Sequence, residues 1–244
     1  MKRSKGNARK TRAQKSEEAR TALFQAAAEI VGEFGYADAS ISRITQRANL
    51  AQGTFYNYFA SRQDILDQLL PTLGTEMLAY IRDRAIGGKT FLEREERAFR
   101  AFFDFLKRAP HFLRILNEAE ISAPKAYHRH LRNVSKSYVR FLQGARDRGE
   151  VANLADEELE ALAYVMMAAR GYLGVRYAKP NGKGNVPEHV MRAYTFLIAN
   201  GLTGSAVVAQ RQNNGTDRRA RTRNARSVPK VARAAEIAES TYRT

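Results

Sequence analysis

The stretch "ISRITQRANLAQGTFYNYF", residues 41–59, holds two short helical segments and the break between them. Ser40 caps the first, from Ile41 to Ala48, and Gln52 to Tyr58 forms the second. Asn49 falls where a tight turn needs a left-handed residue, a conformation asparagine tolerates better than most. On a helix, residues four apart share a face, whereas neighbours diverge by about 100°. Phe55 and Phe59 therefore form one apolar ridge. The pairs Gln52 with Tyr56, Gly53 with Asn57 and Thr54 with Tyr58 point elsewhere, and every side chain among them except the glycine can hydrogen-bond. A helix this short does not persist alone in water. The phenylalanine ridge must pack on something while the polar sides stay available.

Outward from this stretch the pattern is all-α, about nine helices with no sustained period-two strand. Ser16-Glu17-Glu18 reads as the start of a helix running over Ala19 to Phe34, with Leu23, Ala27, Ile30, Val31 and Phe34 at helical spacing before Gly35. Ser61 with Asp64 opens a long helix through Leu70 that Pro71 is expected to bend, and Gly87-Gly88 ends it. Thr90 with Glu93 caps the next, where Phe99, Phe102, Phe103, Phe105 and Leu106 cover more than one face. Pro110 opens a short helix to about Ala119, and Ser122 with Pro124 a longer one ending before Gly149. Asp156 to Tyr177 is another, and after "KPNGKGNVPE" a last helix runs from Pro187 to about Leu202. Past Gly204 the chain lacks the apolar content to fold independently, apart from a weak helix around Val231 to Ser240.

The 244 residues, 44% of them hydrophobic, allow a sizeable core. Cysteine is absent, which excludes disulfides, thiol catalysis and cysteine-based zinc sites. No run is long and apolar enough for a membrane span and no secretory leader is evident, so a cytoplasmic, membrane-free protein is expected. The net charge of +16 is concentrated at the ends. Residues 1–15 carry seven basic residues and no acids, residues 205–244 carry +6, and the 189 residues between them only +3. Basic arms on a balanced body suit a polyanion, most simply nucleic acid.

The two short helices joined by Asn49-Leu50-Ala51 have the dimensions of a helix-turn-helix, whose second helix lies in the DNA major groove. With its flanking helices, "LFQAAAEIVGEFGYADASISRITQRANLAQGTFYNYFASRQDIL", residues 23–66, resembles the N-terminal domain of the tetracycline-repressor (TetR) family of transcriptional regulators without a gap. The resemblance implies a three-helix DNA-binding domain followed by a larger helical domain that dimerises and binds an effector. The division expected is a basic arm at 1–15, a helix-turn-helix domain at 16–60, an effector-binding and dimerisation domain at 61–204 and a basic tail at 205–244. It further implies DNA contacts at Ser40, Ser42 and Arg43 of the second helix and at Gln52, Gly53, Thr54, Tyr56 and Asn57 of the recognition helix. Tyr58 and Arg62 fall at phosphate-contacting positions, and Phe55 and Phe59 at packing positions. The sequence departs from the family's pattern at three places: Thr45 replaces a small packing residue, Asn49 a turn glycine and Ser42 an often base-reading arginine. Chemically, Gln52 can present a bidentate edge to adenine, Thr54 a methyl to thymine, and Gly53 lets a backbone come close.

In the larger domain Phe102, Phe103, Phe112, Tyr138, Phe141, Met166, Met167 and Tyr172 are candidates to line an apolar effector pocket, with Arg170 offering charge or a donor to an anionic or polar ligand. The last two helices are expected to dimerise, through Leu159, Leu162, Met166 and Leu173 and through Val190, Tyr194, Leu197 and Gly201. "NGKGNV" lacks the phosphate-loop pattern, and His128 and His130, two apart, splay to different helix sides, so neither a nucleotide, a metal nor a cofactor is expected. No catalytic arrangement is evident. The function expected is a homodimeric, ligand-responsive regulator binding a palindromic double-stranded DNA operator, a repressor in preference to an activator. The alternatives are a DNA-binding regulator with a closed pocket that answers to a protein partner or to none, and an enzyme using the aromatic cavity.

Overall fold

The computed structural model describes residues 11–178 and 185–202. The two basic ends from residues 1–10 and 203–244, the weak helix at 231–240 and the core of the "KPNGKGNVPE" loop lie outside the described residues. Among the described residues there are nine helices and no strand. They are α1 (Arg12–Phe34), α2 (Ile41–Arg47), α3 (Gln52–Phe55), α4 (Arg62–Ala85), α5 (Phe91–Arg108), α6 (Phe112–Ser122), α7 (Pro124–Asp147), α8 (Asp156–Tyr177) and α9 (Glu188–Leu202).

Most helix ends lie where capping chemistry places them. Ser40, Ser61 and Thr90 each accept, through the side-chain oxygen, the backbone N–H three residues on. α1 differs from expectation. It begins at Arg12, because Thr11 and Gln14 form a reciprocal capping box, so residues 12–15 of the expected flexible arm are helical. α3 is also shorter than expected, its regular part ending at Phe55 and the chain continuing in turns to Tyr58.

The N-terminal three helices enclose a small core. Leu23, Ala27 and Val31 of α1 meet Ile44 of α2 and the two phenylalanines of the α3 segment, all buried. Phe24 stands edge-on to Phe59 at 5.2 Å, and Phe55 lies 5.4 Å from Phe59. α4 continues this core through Ile65, Leu66, Leu69 and Leu70 and then enters the larger helical region, where it packs on α5 and α7. α8 packs on α7, and α9 on α5. α6 touches both regions, lying against α1 and against α7.

Candidate nucleic-acid interface and internal cavity

The turn before α3 is a Schellman motif. Asn49 has φ 54°, its N–H reaches the Gln46 carbonyl at 3.1 Å, and the Leu50 N–H reaches the Thr45 carbonyl at 2.9 Å. Asparagine thus takes the left-handed position that glycine would fill at lowest cost. Thr45 is accommodated because its hydroxyl bonds back to the carbonyls of Ile41 and Ser42, which leaves no buried polar atom unsatisfied there. Arg47 fastens α2 to α1 through Glu29 at 2.9 Å and Glu33 at 2.7 Å. The hydrogen bond from Arg47 holds the Glu33 carboxyl below the usual carboxylate range.

With α3 held from behind, Gln52, Gly53, Tyr56 and Asn57 are exposed on one outward surface, and Thr54 and Tyr58 are half-buried beside it. A Cβ added to Gly53 would meet nothing within 4 Å. No packing inside the chain therefore requires glycine at a helical position where it is about 1 kcal/mol less favourable than alanine. That leaves close approach by something outside the chain as the physical use of the residue. Ser42 is exposed, while Ser40 spends its oxygen on the Arg43 N–H as the α2 cap. Arg43 is exposed, 3.8 Å from Asp38 and over the Phe34 ring.

Arg62 is placed differently from its assignment as a phosphate contact. Its guanidinium donates to the backbone carbonyls of Tyr36, Ala37 and Ala39, so it closes the α1–α2 loop onto the start of α4. Its Nε and Nη2 are both used inside the chain.

The larger region encloses a cavity of about 1620 Å³ walled by α4, α5, α6, α7 and α8. Phe102, Phe112, Tyr138, Phe141, Met167, Arg170 and Tyr172 stand in its wall, together with Leu78, Leu116, His130 and Val134, which sequence reasoning did not single out. Phe103 and Met166 do not line it and are buried in the core. Phe103 packs instead against Phe99 and Phe102. His130 is buried against Phe112, and burial pushes its imidazole down to about 4.

The most unusual chemistry in the wall is a buried ion pair that no local pattern announced. Arg170 Nη2 donates to Glu95 Oε1 at 2.6 Å, and the Tyr194 hydroxyl donates to the same oxygen at 2.5 Å. Tyr194 stacks on Phe99 at 4.0 Å, and the guanidinium of Arg170 sits 5.0 Å from the Tyr138 ring centroid. Burial works against the charged guanidinium, and the Glu95 carboxylate beside it prevails, holding Arg170 above the usual arginine range. Burial pushes the Tyr138 hydroxyl up as well, so it is a donor at any physiological pH. Glu95 sits in the charged run "EREER", which reads as a solvated helix face. Only its pairing with a residue 75 positions away marks it.

α4 and α6 are the two helices that both wall the cavity and grip the N-terminal region. On α6, Leu116 and Glu120 face the cavity while Arg114 donates to the carbonyls of Gly32 and Glu33 at the end of α1. Glu118 accepts the Tyr36 N–H at 2.9 Å and pairs with Arg114 at 2.7 Å. Contact is close enough that a Cβ on Gly32 would fall 2.0 Å from the His111 ring.

A three-helix domain that buries the apolar ridge of a short second helix and presents its polar side outward has the architecture of a helix-turn-helix DNA-binding domain. The family described as "Bacterial regulatory proteins, tetR family" matches residues 23–69. The chain is 41% identical over 69 residues to the uncharacterized HTH-type transcriptional regulator YvdT of Bacillus subtilis, a match spanning 28% of this chain and 36% of that protein. In fold it is similar to the fatty acid degradation regulator FadR from Bacillus halodurans, with TM-score 0.64 at 17% identity over 75% of this chain and 99% of that one. It is equally similar to FadR from Bacillus subtilis in complex with stearoyl-CoA, with TM-score 0.64 at 17% identity over 75% and 98% of the two chains. Over residues 23–69 the chain is similar to the tetR family of bacterial regulatory proteins, and in fold its described residues are similar to those of solved regulators. No helix among the described residues is long and apolar enough to cross a membrane.

Proposed function

We propose that the protein is a ligand-responsive repressor that binds a palindromic operator as a homodimer. The observation that carries the DNA-reading half is the exposed row Gln52, Gly53, Tyr56 and Asn57 on a helix whose other face is locked in the core. In this reading Gln52 and Tyr56 contact base edges, Gly53 admits the groove wall, and Thr54, Asn57, Tyr58, Ser42 and Arg43 set the register on sugar and phosphate. Ser40 acts through its cap on α2, and Arg62 acts as a positioning residue. The basic segment before α1 adds sequence-independent attraction to phosphate.

Dimerisation is proposed through exposed apolar side chains on the last two helices. Tyr164, Val165, Tyr172 and Val175 of α8 and Phe196 and Leu197 of α9 are all exposed, a density unusual for a surface that meets only water. Of the residues expected there, Leu159, Met166, Val190 and Tyr194 are instead buried in the core, one helix face round from this stripe.

The effector is proposed to be an apolar or amphipathic small molecule held in the cavity, a class to which the stearoyl-CoA of the Bacillus subtilis FadR complex also belongs. Filling the cavity would displace α4 and α6, which carry the change to α1 through Arg114 and through the Ile65–Leu70 core.

The test is Gln52→Ala and Tyr56→Ala on operator fragments selected from the source genome. Each substitution is expected to weaken specific binding by about 1–3 kcal/mol while leaving binding to random duplex unchanged. Equal loss on both DNAs would contradict base reading.

A further inference from the structure

We infer that the cavity receives, at the corner formed by Glu95, Tyr138 and Arg170, an uncharged group that both donates and accepts hydrogen bonds, such as a hydroxyl or a primary amide, and excludes a carboxylate from that corner. The inference rests on the reading of the cavity as an effector site and names the chemistry of the ligand's buried end.

Three side chains of the cavity wall are nearly inaccessible, Glu95 at 1%, Arg170 at 6% and Tyr138 at 8% exposure. Each keeps one polar atom without a hydrogen-bond partner among the described residues: Glu95 Oε2, Arg170 Nε and the Tyr138 hydroxyl. Buried polar atoms are paired in the great majority of cases, so three orphans on neighbouring groups of one wall mark a place built for a guest. Their valences are specific. Tyr138 O–H and Arg170 Nε–H are donors, and Glu95 Oε2 is an acceptor. A hydroxyl that accepts from both donors and returns its own proton to Glu95 uses all its capacity.

The sign of charge is decided by what Arg170 already holds. Its cation is matched by Glu95 at 2.6 Å, so the corner has no spare positive charge. A carboxylate brought there would lose its hydration and meet Glu95 Oε2, with no counter-ion to compensate. Of the two roles expected for Arg170, a charge for an anionic ligand or a donor for a polar one, the pairing with Glu95 favours the donor. Positive charge on the wall lies elsewhere, at Arg82, Lys136 and Arg140, which are exposed. An amphipathic ligand therefore keeps its charged end at this exposed rim and sends its uncharged polar end to the Glu95 corner.

The experiment is isothermal titration of the full chain with three probes that share one carboxylate head and differ at the far end: dodecanoate, 12-hydroxydodecanoate and dodecanedioate. The hydroxy acid is expected to bind about tenfold tighter than dodecanoate, and the diacid about tenfold weaker. Tyr138→Phe, which removes one hydroxyl and no packing volume, is expected to abolish most of the hydroxy acid's advantage and leave dodecanoate unchanged. Glu95→Gln is expected to relieve the exclusion of the diacid, and because it leaves a buried arginine unpaired, the phenylalanine variant carries the decision if it fails to fold. A diacid that binds as well as the hydroxy acid, or a preference unchanged in Tyr138→Phe, overturns the inference. If all three probes bind alike, the effector reading stands and this inference fails. If none binds, both fail together.

Discussion

The outward face of α3 and the Glu95 corner of the cavity both present polar side chains aimed at something other than this chain, in opposite circumstances. Gln52, Tyr56 and Asn57 stand in water, where an unpaired amide or hydroxyl loses nothing by waiting for a partner. Glu95, Tyr138 and Arg170 are buried, where each unpaired atom costs about 1–3 kcal/mol. An exposed recognition surface can therefore be varied at little expense to the fold. A buried one is tied to stability, and changes there are felt twice. The comparison also explains why the two sites differ in legibility: the first is written in consecutive residues, the second is assembled from α5, α7, α8 and α9.

The largest expected effect breaks the buried side. Glu95→Ala leaves the Arg170 guanidinium without its counter-charge and should lower unfolding free energy by about 3–5 kcal/mol, measured by urea denaturation. A loss below about 1 kcal/mol would mean that water or rearrangement satisfies Arg170, and the contrast with α3 would collapse.

Acid should also strike the cavity side first. His130 is near 6.5 when unfolded and is pushed down to about 4 by burial when folded. Between those values the unfolded chain binds the extra proton and the folded chain does not, so stability falls as pH drops from about 6.5 to 4. Above that window the contribution is fully present. The span corresponds to about 3 kcal/mol, and His130→Gln should flatten this part of the stability–pH curve.

Arg62→Lys separates structure from recognition at the boundary of the DNA-binding domain. Lysine keeps the charge and cannot reproduce the fork that serves Tyr36, Ala37 and Ala39. A stability loss of about 1–2 kcal/mol, measured by urea denaturation, is expected. Unchanged stability would mean that the fork is not needed at these carbonyls and would return Arg62 to the phosphate contacts.

Gly53→Ala is the smallest change and the sharpest for the exposed side. Since a Cβ there meets nothing, the substitution should raise stability by about 0.5–1 kcal/mol. Operator affinity should fall in the same protein. A variant that gains stability and binds the operator fully would remove the argument for close approach at this position.

Several elements were legible because their causes are local. The bounds of α8 coincide with the reading from Asp156 to Tyr177, and α5 follows its Thr90 cap. The positive φ at Asn49 follows from a residue that tolerates it. The early start of α1 was equally local, in the Thr11–Gln14 capping box, and the strong acidic start signal at Ser16-Glu17-Glu18 obscured it.

What could not be read locally turns on partners distant in sequence. An arginine after a recognition helix looks the same whether it faces a phosphate or three carbonyls, and the difference lies in where the α1–α2 loop returns, some 25 residues away. Tyr194 looked like an interface residue until α9 packed on α5 and turned it toward Glu95. The sequence by itself determined the helices, the turn and the two faces of α3, because periodicity, capping and backbone preference act over a few residues. Only the tertiary structure decided which charged groups are spent inside the chain and which are left for a ligand, because a buried charge takes its meaning from the partner that folding brings to it.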